Sequence, residues 1–163
     1  MSKKKEKQTD TGSNIEDDNE TGQLSHYLLI VLNDDKYLVP LALINKIINP
    51  LEIFPLPDTL DFVAGVANFS GEIVPMVDLK KALKLPSLGT ISRGKFFICM
   101  YQDIKVGFIV DSVIDSREIE DSKIKTDTTR VLENDFISGE YIHEKEVFAV
   151  IDIAKFIDTY KAG

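Results

Sequence analysis

The chain has 163 residues, 44% of them apolar and 28% charged, with a formal net charge of −8. That is enough apolar material for one domain or two small subdomains. It excludes the clustered Lys and Arg surface through which nucleic acids are bound. The single cysteine, Cys99, rules out an internal disulfide framework and suits a reducing compartment. No run of about 18 apolar residues is present to span a membrane, and the N-terminal lysines have no apolar stretch behind them to make a secretory signal.

In chain order, residues 1–23 are polar and mixed in charge, with Ile15 as their large apolar residue. Such a segment buries too little surface to offset its ordering entropy and is expected to be a disordered tail. The folded part is expected over 24–163. HYLLIVLNDDKYLVPL reads as a hairpin turning at Asn33-Asp34-Asp35-Lys36, because Asn and Asp tolerate left-handed φ. Ala42 to Ile48 continues as a short strand or a single helical turn. Pro50, Pro55 and Pro57 mark an extended connection at an edge, since proline cannot donate to a ladder. Phe62 to Ala67 and Glu72 to Val77 pair around Asn68-Phe69-Ser70-Gly71, with Gly71 free to take positive φ. Asp78 then caps a helix from Leu79 to Leu85, stopped by Pro86. Residues 87–94 read as a Gly/Ser-rich loop. KFFICMYQDIKVGFIVDSVIDSREI makes another hairpin, turning at Gln102-Asp103, and residues 120–135 form a long polar connection. Phe136 to Ile142 and Val147 to Ile151 pair across His143-Glu144-Lys145-Glu146, and Asp152 caps a final helix reaching Tyr160.

The chain repeats itself. Phe62-Val63-Ala64-Gly65 superposes on Phe136-Ile137-Ser138-Gly139, and with the same offset Ile73 to Leu79, through Pro75, falls on Val147 to Ile153. Lys36 to Leu41 falls on Lys105 to Val110 with a slightly different offset. Two copies of an all-β unit of roughly 65 residues are therefore expected. Each closes into a small five-stranded barrel, because closure removes exposed edges. Each holds a small core, with a third shared between them.

Chemistry is sparse. His26 and His143 have no partner at metal-ligand spacing, so no metal is expected. Cys99 alternates within a strand and reads as a small core residue. Asp78 and Asp152 precede helices, which points to capping rather than acid–base work. GTISRG lacks the ending of a phosphate-binding loop. Asp111, directly after four apolar residues, requires a partner, either backbone N–H groups or another protein. FFICM and VGFIV are apolar on both faces, so they are buried twice or exposed to a partner on one side. The surplus favours an interaction protein over an enzyme, and no cofactor is expected.

GVANFSGEIVPMVDLKKALKL resembles the signature of the CheW-like family, G-V-x-N-x-R-G-x-I-x-P-V-x-D-L followed by a short helix, and supplies Gly65, Asn68, Gly71, Pro75 and Asp78 of that pattern. VGFIVDSVID and the C-terminal ISGEY to VFAVIDIAKFI fit the same family. The resemblance covers residues 24–160. It implies a mainly β fold of two five-stranded barrel subdomains with short capping helices. It also implies a non-enzymatic adaptor in bacterial chemotaxis, cytoplasmic and associated with membrane-bound receptor arrays. The implied partners are the cytoplasmic tips of methyl-accepting chemoreceptors, the regulatory domain of the histidine kinase CheA, and other CheW-like proteins in the array. By the same resemblance, the receptor groove would lie between the subdomains near Ile98, Gly107, Val110 and Val113, with Ser70 beside it. The kinase contact would use Ile44, Lys46 and Ile47. Core packing is the alternative for each of these aliphatic residues.

Two positions depart from the family pattern: Ser70 stands where Arg is usual, and Lys46 where Glu is common. Serine cannot replace the bidentate contacts of Arg. These departures leave open a diverged paralogue serving another chemosensory-type pathway or modulating array assembly. A small-barrel hydrolase, a nucleic-acid module and an isolated kinase regulatory domain are disfavoured by the missing catalytic constellation, the charge, and the absence of ATP-binding or phosphoacceptor segments.

Overall fold

The computed structural model describes residues 22–86 and 94–161. Most of the expected tail and most of the 87–94 loop lie outside them. Among the described residues, ten strands form: β1 (Leu24–Leu32), β2 (Asp35–Pro40), β3 (Ile44–Ile48), β4 (Val63–Phe69), β5 (Glu72–Asp78), β6 (Lys95–Tyr101), β7 (Ile104–Val110), β8 (Ser112–Glu120), β9 (Ile137–His143) and β10 (Glu146–Ile151).

Four hairpins turn on two residues of positive φ: Asn33 and Asp34 (52° and 74°), Ser70 and Gly71 (52° and 84°), Gln102 and Asp103 (51° and 66°), Glu144 and Lys145 (50° and 73°). Two consecutive positive φ values match the twist of the flanking strands. Three of these turns are tighter than the four residues expected, because ladder pairing carries the strands right up to the loop. Asn68 supports its turn by accepting the Gly71 N–H at 3.1 Å.

Among the described residues, two of the three α-helices are the expected ones. α1 (Leu79–Ala82) is capped by Asp78, which accepts from the Lys80 and Lys81 N–H groups at 3.0 and 3.3 Å. It stops earlier than Leu85, because Lys84 turns to a φ of 61°. α3 (Ile153–Tyr160) is capped by Asp152, which accepts from Lys155 N–H at 2.9 Å. α2 (Thr129–Glu133) corrects the reading of residues 120–135 as plain connection. Thr128 caps it, and Val131 is packed against the core.

The strands form two five-stranded sheets, ordered β8-β1-β2-β10-β9 (lobe A) and β3-β6-β7-β5-β4 (lobe B). Lobe B is one continuous stretch inserted between β2 and β8. β8 does not prolong the β6–β7 hairpin, as the sequence pattern suggests; it crosses to lobe A and pairs with β1 from Leu24↔Glu120 to Val31↔Ser112. The lobes are therefore out of phase with the repeats. Each takes its leading hairpin from one repeat and its other three strands from the other.

The repeat itself is exact in register. β5 pairs parallel to β7 with Met76 opposite Gly107, and β10 pairs parallel to β2 with Val150 opposite Leu38, the equivalent residues. An isolated bridge, Phe54↔Val66 in lobe B and Lys125↔Glu140 in lobe A, brings the end of each curled sheet onto its opposite edge. Asp78 N–H donates to the Phe62 carbonyl and Asp152 N–H to the Phe136 carbonyl, both at 2.8 Å.

Three apolar clusters result. Tyr27, Leu29, Leu38, Phe148 and Val150 fill lobe A. Val74, Met76, Phe96, Ile98 and Ile109 fill lobe B. The largest lies between the lobes and includes Ile30, Tyr37, Phe97, Cys99, Phe108, Val110 and Phe156. β6 and β7 alternate between the lobe B interior and this shared core. Their apolar surplus is thus interior packing and no signal of an exposed interface, which corrects the second use made of FFICM and VGFIV.

Candidate functional site

The junction between the lobes is held by charge. Asp111 sits where the chain passes from β7 to β8. Its carboxylate accepts the Asn33 N–H at 2.8 Å and pairs with the Lys80 ammonium at 2.8 Å. Lys80 Nζ also donates to Asn33 Oδ1 at 3.3 Å, and Asn33 Nδ2 donates to the Pro86 carbonyl. Asp111 thus has both backbone and charged partners within its own chain. The Lys80 side chain is 8% exposed and that of Asp111 35%, so removing Lys80 leaves a partly solvated carboxylate without its cation. Lys80→Met is expected to lower the unfolding free energy by about 2 kcal/mol, less than for a fully buried pair because Asp111 keeps some solvent. Urea denaturation with Asp111→Asn and the double variant checks this; purely additive losses would show the two groups are uncoupled.

The residues expected near a receptor do not gather on one open surface. Ile98 and Val110 are 0% and 1% exposed. Gly107 faces inward, where a Cβ would fall against the Met76 thioether. Val113 is partly buried against the shared core. Ser70 is exposed at the β4–β5 turn. Core packing accounts for the aliphatic members of the set. Cys99 is also interior, and burial pushes its thiol pKa up, which leaves no nucleophile there. His26 and His143 lie at the surface beside Glu118 and Glu144. Among the described residues, no three His, Cys, Asp or Glu side chains gather as a metal set.

What the structure offers instead is an apolar groove on the outer face of lobe B. Strand register builds its floor. Pro75 precedes Met76 in the parallel ladder, which sets it beside Val106. Val106 lies opposite the buried Cys99, so the row runs from the shared core into solvent. Ile104 extends the floor, Leu60 forms one rim, and Ile157 and Tyr160 of α3 form the other wall. The groove encloses about 560 Å³. Leu60 is 49% exposed, and Ile73 and Phe54 continue the apolar surface at 67% and 51%. Neither Leu60 nor Tyr160 is singled out by sequence. The exposed Pro75 within an otherwise apolar strand is the signal that could have marked this face.

A CheW-like domain model matches residues 26–161. The chain belongs to the CheW-like family. It is 26% identical over 133 residues to the chemotaxis protein CheW of Bacillus subtilis, covering 80% of this chain and 85% of that one. The CheW of Helicobacter pylori is 24% identical, over 74% of this chain and 71% of its own. The crystal structure of the scaffolding protein TtCheW from Thermoanaerobacter tengcongensis superposes with a TM-score of 0.70 at 23% identity, over 79% of this chain and 89% of that one, in agreement with the two-lobed fold. Family membership carries with it the role of a chemotaxis adaptor.

This CheW-like chain presents its second expected contact region openly. On β3, the edge strand of lobe B, Asn45, Lys46 and Ile47 are exposed in succession, and Ile44 is half-buried against the shared core. A register shift between Ile44 and Lys46 breaks the usual in–out alternation and turns Ile47 outward at 45% exposure. Lys46 thus lies on the surface, as does Ser70, the other departure from the CheW-like pattern. Among the described residues, no helix is long and apolar enough to cross a membrane.

Proposed function

We propose that this chain couples methyl-accepting chemoreceptors to the histidine kinase CheA, acting as a scaffold without chemistry of its own and working in the cytoplasm against membrane-bound receptor arrays. The observation that supports this reading is the groove lined by Leu60, Pro75, Ile104 and Tyr160 on the outer face of lobe B. An amphipathic helical tip from a receptor lays its apolar face there, the docking mode that needs shape and apolar contact rather than catalysis. The kinase regulatory domain docks on the separate surface of Ile44, Lys46 and Ile47. Other CheW-like proteins in the array are further partners.

Calorimetric titration of the full chain with a receptor tip hairpin and with the kinase regulatory domain, both from its own organism, tests this. Saturable one-to-one binding to each is expected, and binding to neither overturns it. Leu60→Asp should weaken tip binding roughly 10-fold or more, because it sets a charge at a rim that docking desolvates, while leaving kinase binding and melting temperature nearly unchanged. The exposed Ser70 and Lys46 favour one further reading, a paralogue with a specialised interface. If Ser70→Arg with Lys46→Glu leaves binding to the main receptors unaltered, that reading fails.

A further inference from the structure

A second cleft, polar where the lobe B groove is apolar, lies between the two repeats and encloses about 330 Å³. The offset that sets Asp78 on Asp152 also sets Asp61-Phe62 on Asp135-Phe136 and Lys81 on Lys155, and all six of these residues line it. The half-buried rings of Phe62, Phe136 and Tyr160 form its apolar part. Tyr160 lies 4.7 Å from Phe62 and 6.1 Å from Phe136, centroid to centroid. Lys81 comes from α1 and Lys155 from α3. Lys84, just past α1 at a φ of 61°, adds a third ammonium.

Three ammonium groups therefore share the cleft with two carboxylates, an excess of positive charge on a chain whose net charge is −8. Among the described residues, none of these five side chains has an ion-pair or hydrogen-bond partner. The Lys81 and Lys155 N–H groups are already taken by Asp78 and Asp152, so side chains rather than helix ends are what the cleft offers. Thr159 also lines it, but its hydroxyl already donates to the Lys155 carbonyl at 2.8 Å. Glu133 borders an adjoining dip with Lys84 and Asp135.

We infer that this cleft binds a small nucleotide, with its phosphate on the lysines, its base against the rings of Phe62, Phe136 and Tyr160, and base N–H groups donated to Asp61 or Asp135. Lysine holds phosphate as a compact point charge. A bare anion would gain from the three lysines but meet the repulsion of two carboxylates. An uncharged aromatic ligand would leave the lysines uncompensated. A nucleotide brings an anion, a flat ring and N–H donors together, and so answers every group in the cleft. Guanine suits it best, because its N1–H and N2–H form a fork that a carboxylate accepts with both oxygens. The volume stands at the small end for ligand sites, which admits a mononucleotide. This inference does not rest on the receptor-docking reading.

Isothermal titration of the full chain with GMP, and separately with inorganic phosphate, tests it at physiological salt. Saturable one-to-one binding of GMP below about 1 mM is expected, with inorganic phosphate roughly 10-fold weaker or more. Lys81→Ala with Lys155→Ala should weaken GMP about 10-fold or more, since charge-assisted hydrogen bonds are lost. Both lysines are exposed, so the melting temperature should hold. Asp61→Asn with Asp135→Asn separates base from phosphate: GMP should bind more weakly, and inorganic phosphate no less tightly than before. No saturable GMP binding up to about 1 mM overturns the inference. So does inorganic phosphate binding as tightly as GMP, or GMP binding that ignores the paired lysine substitutions. No partner protein enters these titrations, so their failure is distinct from failure of the adaptor reading.

Discussion

Gly65→Ala is expected to cost about 3–4 kcal/mol, combining backbone strain with a lost pair of hydrogen bonds. Gly65 has a φ of 149°, outside the range that L side chains ordinarily adopt. An added Cβ would strike the Phe54 carbonyl, 2.8 Å from its carbon and closer still to its oxygen. That carbonyl cannot yield. It accepts the Val66 N–H at 3.0 Å, while Phe54 N–H donates to the Val66 carbonyl at 2.8 Å. These two bonds form the bridge that closes lobe B. The substitution therefore opens the barrel seam and should lower the melting temperature by roughly 10 °C.

The repeat supplies the control. Gly139, its equivalent, lacks the unusual φ, and its Cβ would meet chiefly the Ile124 methyl, with the Lys125 carbonyl at 3.2 Å. A side-chain end can move, so Gly139→Ala should cost about 1 kcal/mol. Equal losses at both positions would show that the backbone clash is not what matters. A Gly65→Ala loss under about 1 kcal/mol would show that the seam is dispensable.

The local elements were readable because their signals are local. Asp78 and Asp152 cap helices in a pattern that needs only the residues that follow, and each hairpin turn occupies residues within the stretch expected for it. The internal repeat was readable because it is written in residue identities. The destination of β8 was not. After Asp111 the sequence reads as one more strand, and nothing in SVIDSREIE says that its partner is β1, about eighty residues earlier. Ladder pairing and the shared core decide that. α2 was hidden because a five-residue helix leaves too few apolar positions to show a period. The site was the least legible part. Ile98 and Val110 attract attention as apolar residues in a motif, yet alternation sends Ile98 into lobe B and Val110 into the shared core. The groove appears only once Pro75, Val106 and Leu60 are brought together by pairing that joins distant segments.

Phe156→Ala should cost about 4 kcal/mol, within the range for deleting a buried phenyl ring. The ring is 4% exposed and lies among four others. Phe62 is 5.1 Å away, Phe136 5.2 Å, Tyr160 5.1 Å and Phe108 5.9 Å, centroid to centroid. Phe62 and Phe136 are equivalent residues of the two repeats, so a single ring from α3 packs against both copies. The repeats are interleaved between the lobes, and this contact cannot fail in one lobe alone. The loss should therefore appear as a lower urea midpoint with an unchanged slope. It should also reach function, since Phe156 and Tyr160 line the groove wall. Receptor-tip binding is expected to weaken while contact through Lys46 and Ile47 persists in the folded fraction. A loss under about 2 kcal/mol would mean that Phe62 and Phe136 close on each other without it, and α3 would then be a cover on the shared core rather than its keystone.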